Sequence, residues 1–270
     1  MMKKEWNIFL TAVQFLTRIR VPARIRHDPE YLQQAPRYFP LIGWIVGAFS
    51  ALAFLLFSRY VSADAGLLAS MITGIVVTGA FHEDGFADVC DGMGGGWTKE
   101  KILQIMKDSR IGAFGAIGLI SILASKFVLL KELSAFTPSL EHPSASPFYN
   151  YRYFILSLLA AHSVSRLMPV LVMQIADYAS DPNQSKSKDL TTRRLSISGL
   201  SVAVVFALAP YIFLPWPFLL TLLPALYATY ELNRYFRRWI GGYTGDCLGA
   251  IQQVTELIIY LGFLIVWRYF

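Results

Sequence analysis

Four acidic residues crowd the stretch from Glu83 to Asp91 in the segment FHEDGFADVCDGMGGG. Asp84, Asp88 and Asp91 stand at i, i+4 and i+7, so on a helix their carboxylates share one face, with Glu83 on its flank. Like charges stacked in this way repel. An oxygen-only set with no His or Cys at suitable spacing suits a hard cation such as Mg²⁺, completed by substrate phosphates. Glu83, Asp84, Asp88 and Asp91 are therefore the candidate metal ligands.

The run Gly92-Met93-Gly94-Gly95-Gly96 follows, giving up helix propensity and bulk, and is expected to turn sharply or let backbone approach a ligand. Lys107-Asp108-Ser109-Arg110 then adds two cations and another acid. Metal-binding carboxylates, a glycine turn and a Lys/Arg pair are the parts of a phosphoryl-transfer site, where catalysis is mostly positioning and charge neutralisation. A glycine cluster alone is ordinarily a loop, and charges between apolar segments are ordinarily solvated. Their concentration beside a membrane-like segment is what favours a site, because acids near a bilayer are costly.

The elements that must hold these residues are membrane helices. Of the 270 residues 55% are hydrophobic and 16% charged, and the mean hydropathy is +0.46, well outside soluble composition. An all-α integral membrane protein is expected, residues 1–270 forming a single membrane-embedded domain with no soluble domain. The net charge of +6 reads as membrane orientation and not as nucleic-acid binding. Cys90 and Cys247 offer neither a disulfide framework nor zinc spacing.

About seven spans are expected, at residues 39–60, 65–81, 111–130, 153–176, 197–214, 218–230 and 248–267, with an amphipathic or half-inserted helix over 6–20 and no cleavable signal peptide. The 131–152 segment, with three prolines, reads as an irregular connection. With the N-terminus cytoplasmic, most of the 24 Lys and Arg residues fall on the cytoplasmic side, including Arg24, Arg26, Lys186, Lys188, Arg193 and Arg194, as the positive-inside rule requires. The acidic stretch, the 177–196 loop and the 231–247 loop then share one face. Asp181-Pro182-Asn183 reads as a turn before a basic run that could attract an anion.

Within the spans, Arg166 is a candidate for gripping a phosphate or pairing an acid, and otherwise snorkels. His162 reads as a satisfied interior residue. Glu256 is either functional or hydrogen-bonded by a neighbouring helix. Asp246 closes the flexible Gly241-Gly242-Tyr243-Thr244-Gly245 stretch before the last span.

Glu83-Asp84-Gly85-Phe86-Ala87-Asp88 with Asp91-Gly92, Lys107-Asp108-Ser109-Arg110-Ile111-Gly112 with Phe114-Gly115, and Gly242-Tyr243-Thr244-Gly245-Asp246 with Leu248-Gly249-Ala250 resemble the cobalamin synthase family. The likeness extends to Phe15-Leu16-Thr17-Arg18 and Pro40-Leu41-Ile42-Gly43. It implies a Mg²⁺-dependent, multi-pass enzyme of the bacterial inner membrane with its site loops facing the cytoplasm. Such an enzyme joins adenosylcobinamide-GDP to α-ribazole or its 5′-phosphate and releases GMP. The resemblance leaves room for a homo-oligomer or a complex with other cobalamin-pathway enzymes. On this reading Lys107 and Arg110 neutralise phosphate oxygens, Asp88 or Asp91 takes the acceptor proton, and Gly94, Gly95, Asp108, Ser109, Arg166 and Asp246 adjoin the substrate.

Two rivals fit less well. A CDP-alcohol phosphatidyltransferase would carry Arg where Asp88 follows Asp84-Gly85-Phe86-Ala87. A cation-coupled transporter using Asp84, Asp88, Arg166 and Glu256 would place its charges near mid-membrane, often within repeats, and no repeat is visible.

Overall fold

The computed structural model describes residues 2–22, 28–135, 151–179 and 194–269. Arg24, Arg26, the 136–150 prolines, Asp181-Pro182-Asn183, Lys186, Lys188 and Arg193 lie outside the described residues. Among the described residues the regular structure is helical: α1 Met2–Leu16, α2 Pro29–Gln34, α3 Phe39–Tyr60, α4 Ala63–Thr78, α5 Phe81–Gly95, α6 Lys99–Met106, α7 Ala113–Ala135, α8 Arg152–Ile175, α9 Ile197–Leu208, α10 Leu222–Ile240 and α11 Gly245–Tyr269.

Four helical stretches are long and apolar enough to cross a membrane: Pro29–Tyr60, which joins α2 to α3, then α7, α8 and α11. α4 and α5 meet that test only as a pair bent by 87°, which makes four spans, or five with the bent pair as one. Of the seven expected segments, the fifth is a short apolar helix continued by a 3₁₀ turn over Ala209–Phe213. The sixth begins with another 3₁₀ turn, Trp216–Thr221, and continues as α10 to Ile240. Much of the expected 231–247 loop is thus helix, ended only where Gly241 takes φ +82°. α1 buries Ile8, Leu10, Ala12, Val13 and Leu16 and leaves Trp6 in the open, as an amphipathic helix should.

The bend is built by a left-handed pair. Gly79 (φ +68°) donates to Val76 O, while Ala80 (φ +58°) donates to Ile75 O, closing α4 in a Schellman turn. Arg18 lies against Gly79 where a Cβ would stand, and its backbone N–H donates to Val77 O at 2.8 Å. A side chain at 79 is therefore excluded twice, by φ and by Arg18. The turn sends the acidic stretch across the end of the bundle instead of onward through it.

Neighbouring helices run antiparallel, which sorts the ends. Lys131 near the end of α7 pairs with Asp64 at the start of α4 at 2.8 Å, and Tyr153 at the start of α8 meets Trp267 near the end of α11. At the opposite end lie α5, the start of α7, the end of α8 and the start of α11. There Gln174 Oε1 accepts from Leu195 N, and Tyr178 bridges to Tyr243.

Candidate active site

Two helices supply the acids that remain open to solvent. Asp84 is exposed and Asp88 partly so, both on α5, and Asp246 stands partly exposed in the first turn of α11. Glycine brings the two backbones together: a Cβ on Gly85 would stand 2.9 Å from Asp246 Cα, and one on Gly249 would stand 3.2 Å from His82 O. Asp88 lies within reach of the charges of Asp246, Asp84 and Asp91, and Asp246 within reach of Asp84. Thr244 Oγ1 caps α11 by accepting from Cys247 N and donates to Asp246 Oδ2 at 3.3 Å.

Two of the expected metal ligands have other employment. Asp91 is buried, and its Oδ2 and Oδ1 accept from Gly112 N at 2.7 Å and Gly115 N at 2.8 Å. It caps the N-terminus of α7, where a carboxylate also meets the favourable end of the helix dipole. Gly112 and Gly115 are required there because the carboxylate occupies the space of their absent Cβ atoms. Glu83 turns inward instead, its Oε1 accepting from Gln253 Nε2 at 2.9 Å. Of the four acids, Asp84 and Asp88 are left open with Asp246 beside them, and that exposed set is the one whose chemistry can be compared with a metal's.

The donor chemistry of that set fits Mg²⁺, being carboxylate oxygen alone. Among the described residues no three His, Cys, Asp or Glu side chains already converge to hold a metal. Water and substrate phosphates would have to complete the shell, the usual arrangement for this ion.

The glycine run is not a turn. α5 continues through Gly95, and the run serves packing: a Cβ on Gly92 would meet Met106 at 2.6 Å, and one on Gly94 would meet the Phe114 ring at 2.5 Å. Gly94 and Gly95 remain exposed on their other side. In the α6–α7 connection Asp108 grips Arg110 by two oxygens, Nη2–Oδ2 at 2.7 Å and Nε–Oδ1 at 3.0 Å. Arg110 holds the Asp108 carboxyl down at about 2. This clamp shapes the connection and leaves Lys107 and Ser109 exposed beside it.

Arg166 lies apart from the acids, in the bundle interior. It is 2% exposed, and its Nη1 donates to His162 O at 2.9 Å and lies 3.2 Å from His162 Nδ1. Next to it Glu256 pairs with Lys126 at 3.2 Å and accepts from Gln252 at 2.6 Å and Tyr260 at 3.3 Å. Lys126 donates to Gln253, which links this network to Glu83. The partners of Glu256 were the part that sequence reasoning missed; Lys126, a lone cation in an apolar segment, was the available signal.

The sequence profile of the family described as cobalamin-5-phosphate synthase matches residues 8–264. The chain belongs to this family. Among its relatives, adenosylcobinamide-GDP ribazoletransferase of Leptospira interrogans is 38% identical over 99% of this chain and 98% of its own length. The proteins of that name from Shewanella piezotolerans and Vibrio cholerae are 41% and 38% identical, over 98% and 96% of this chain and 97% and 94% of their own lengths. No solved structure matches the chain.

Proposed function

We propose that this chain transfers the adenosylcobinamide phosphate moiety of adenosylcobinamide-GDP to α-ribazole or α-ribazole 5′-phosphate, the step of cobalamin synthesis that assembles the nucleotide loop. One observation carries the reading to particular residues: Asp84 and Asp88 of α5 face Asp246 of α11 at one end of the bundle, in a chain that matches the family along nearly its whole length.

In the reaction an acceptor hydroxyl oxygen bonds to the corrin-side phosphorus, the P–O bond to GMP breaks, and the hydroxyl proton leaves. When bound, Mg²⁺ would neutralise diphosphate oxygens and the developing charge on GMP. Asp84 and Asp246 would hold the ion, and Asp88, partly sheltered between them, would share it or take the proton. Lys107, exposed in the α6–α7 connection, would draw in the anionic donor. Arg110, exposed although paired with Asp108, would join it in neutralising phosphate oxygens.

The membrane reading follows the same ends. Arg18, Lys99, Lys101, Lys107, Arg110, Arg194, Arg237 and Arg238 lie toward the acidic end, against Arg59, Lys131, Arg152 and Arg268 at the other. That bias supports a bacterial inner-membrane protein with the acids toward the cytoplasm. The antiparallel course of α9 and α10, each lengthened by its 3₁₀ turn, supports seven traversals.

The test is GMP release by the purified protein in liposomes, given adenosylcobinamide-GDP, α-ribazole 5′-phosphate and Mg²⁺. Release that needs acceptor and metal, and is lost in Asp88→Ala, is expected. Release that persists in Asp84→Asn at limiting Mg²⁺ would remove the acids from the site.

A further inference from the structure

The connection from α10 to α11 is short and, by composition, permissive. Gly241 ends α10 at φ +82°, Gly242, Tyr243 and Thr244 follow, and α11 begins at Gly245. Asp246, one of the three open acids, is the next residue. Two glycines in so few positions give the backbone little of its own with which to fix that carboxylate.

A segment from elsewhere in the chain supplies the hold. Residues 177–179, which follow α8, lie alongside the connection, and Tyr178 forms a parallel bridge with Tyr243. Tyr243 N donates to Asp177 O at 3.1 Å, and Ala179 N donates to Tyr243 O at 2.8 Å, so both backbone polar groups of Tyr243 are taken. The Tyr243 ring is 2% exposed and meets the Tyr178 ring edge-on at 5.5 Å. Gly242 is what lets the segment come so close: a Cβ there would stand 2.1 Å from Asp177 O and 3.3 Å from Ala179 N. Because the φ of Gly242 is not left-handed, the requirement is for space. Of the four spans α8 is the most deeply buried, so the connection is tied to the bundle interior.

From Tyr243 the hold passes to Asp246 through one residue. Thr244 is 4% exposed; its backbone O accepts from Leu248 N at 3.2 Å, its Oγ1 accepts from Cys247 N, and its hydroxyl donates to Asp246 Oδ2.

We propose that residues 177–179 are a strap that positions Asp246: by fixing Tyr243 they place Thr244, and Thr244 orients the Asp246 carboxylate against Asp84 and Asp88. The proposal rests on the transferase reading above, in which these three acids act together. Gly242, Tyr243 and Thr244 are positioning residues, so their loss should change what Asp246 does and leave the binding of the acceptor alone. Partners that orient a ligating side chain are typically worth about 10–100-fold in metal affinity or activity.

The experiment compares the full-length wild type with Gly242→Ala, Thr244→Val and Thr244→Ser in liposomes. It reads kcat for GMP release, KM for α-ribazole 5′-phosphate, Mn²⁺ binding without substrate from the free ion's electron paramagnetic resonance signal, and amide exchange over 177–179 and 242–246. Gly242→Ala displaces the strap, so the Tyr243 and Ala179 amides should exchange faster. Its kcat should fall about tenfold and its Mn²⁺ affinity by a similar factor, with acceptor KM unchanged. Thr244→Val, close in shape but without the hydroxyl, should show the same losses while the 177–179 amides stay protected, and Thr244→Ser should recover most of them. Faster exchange in Gly242→Ala with kcat and Mn²⁺ affinity at wild-type levels would make the strap structural only and overturn the proposal. Unchanged exchange in Gly242→Ala, or losses in Thr244→Val that Thr244→Ser does not recover, would overturn it equally. GMP release by the wild type beside any of these results leaves the transferase reading standing. No release by the wild type, with Mn²⁺ affinity still lowered in Gly242→Ala and Thr244→Val, would defeat that reading and keep the strap. Should Gly242→Ala fail to fold, Ala179→Pro decides by the same readouts, since it deletes the donor to Tyr243 O and adds nothing at 242.

Discussion

Asp88 and Asp91 sit about one turn apart on α5 and do opposite work. Asp88 is left partly open among like charges, a state that costs stability. Asp91 is buried and fully engaged with the α7 backbone. Replacing Asp91 with Ala should therefore lower stability by about 2 kcal/mol, since a buried N–H group and a part-buried one lose a charged acceptor. Asp84→Asn and Asp88→Asn should abolish GMP release while leaving the melting temperature unchanged or raised. Thermal unfolding in detergent, read beside turnover, separates the two classes; equal destabilisation by all three would erase the distinction. The i, i+4, i+7 spacing made the acidic face of α5 legible. It could not distinguish Asp91, because the groups that claim its carboxylate lie 21 and 24 residues further on. Nor could it show that Glu83 would meet Gln253, 170 positions away.

The seam between α5 and α7 is made of absent side chains. Gly112 just before α7 and Gly115 and Gly118 within it recur every three residues, and a Cβ on Gly118 would stand 2.6 Å from Cys90 Sγ. Small residues at such spacing let helix backbones approach closely where the lipid supplies no hydrophobic drive. Gly115→Ala should cost about 1–3 kcal/mol, because its Cβ would press on the Asp91 carboxylate and stand 3.0 Å from Ala87 O. Gly95→Ala is the matched control, since its Cβ would meet only Ile105 Cδ1 at an ordinary 3.4 Å. It should be neutral or slightly stabilising through helix propensity. Melting temperatures of the two variants check the contrast, and comparable losses would mean that the seam is not tight. Composition revealed the glycines without revealing their use: the run at 92–96 reads locally as a turn, whereas only the packing of α6 and Phe114 explains why α5 passes through it.

Across the whole bundle, the interior is held by charge as well as by apolar packing. Lys126 of α7 and Glu256 of α11 pair at 3.2 Å at 7% and 1% exposure, and Arg166 of α8 and Glu83 of α5 complete an internal balance of two positive and two negative groups. A small cavity adjoins all four, and three of the residues that line it carry polar atoms without a protein partner: Glu83 Oε2, Arg166 Nε and Ser50 Oγ. Lys126, Arg166 and Glu256 stand in the sequence as isolated charges in apolar segments and Glu83 as the flank of the acidic stretch; their convergence was not legible, since Lys126 and Glu256 are far apart in the chain. Removing one member strands the other. Lys126→Met or Glu256→Gln alone should therefore destabilise by about 3–5 kcal/mol, the range for breaking a buried pair. The double variant leaves Arg166 and Glu83 still balanced, so its cost should fall well short of the sum of the two single losses. Reversible unfolding of the four proteins in mixed micelles measures that coupling. Because the pair lies apart from Asp84, Asp88 and Asp246, the double variant should retain transfer activity at temperatures where it is folded. Additive losses would mean that Lys126 and Glu256 are stabilised independently, each by its own glutamine, and that the charge pair does not hold α7 to α11.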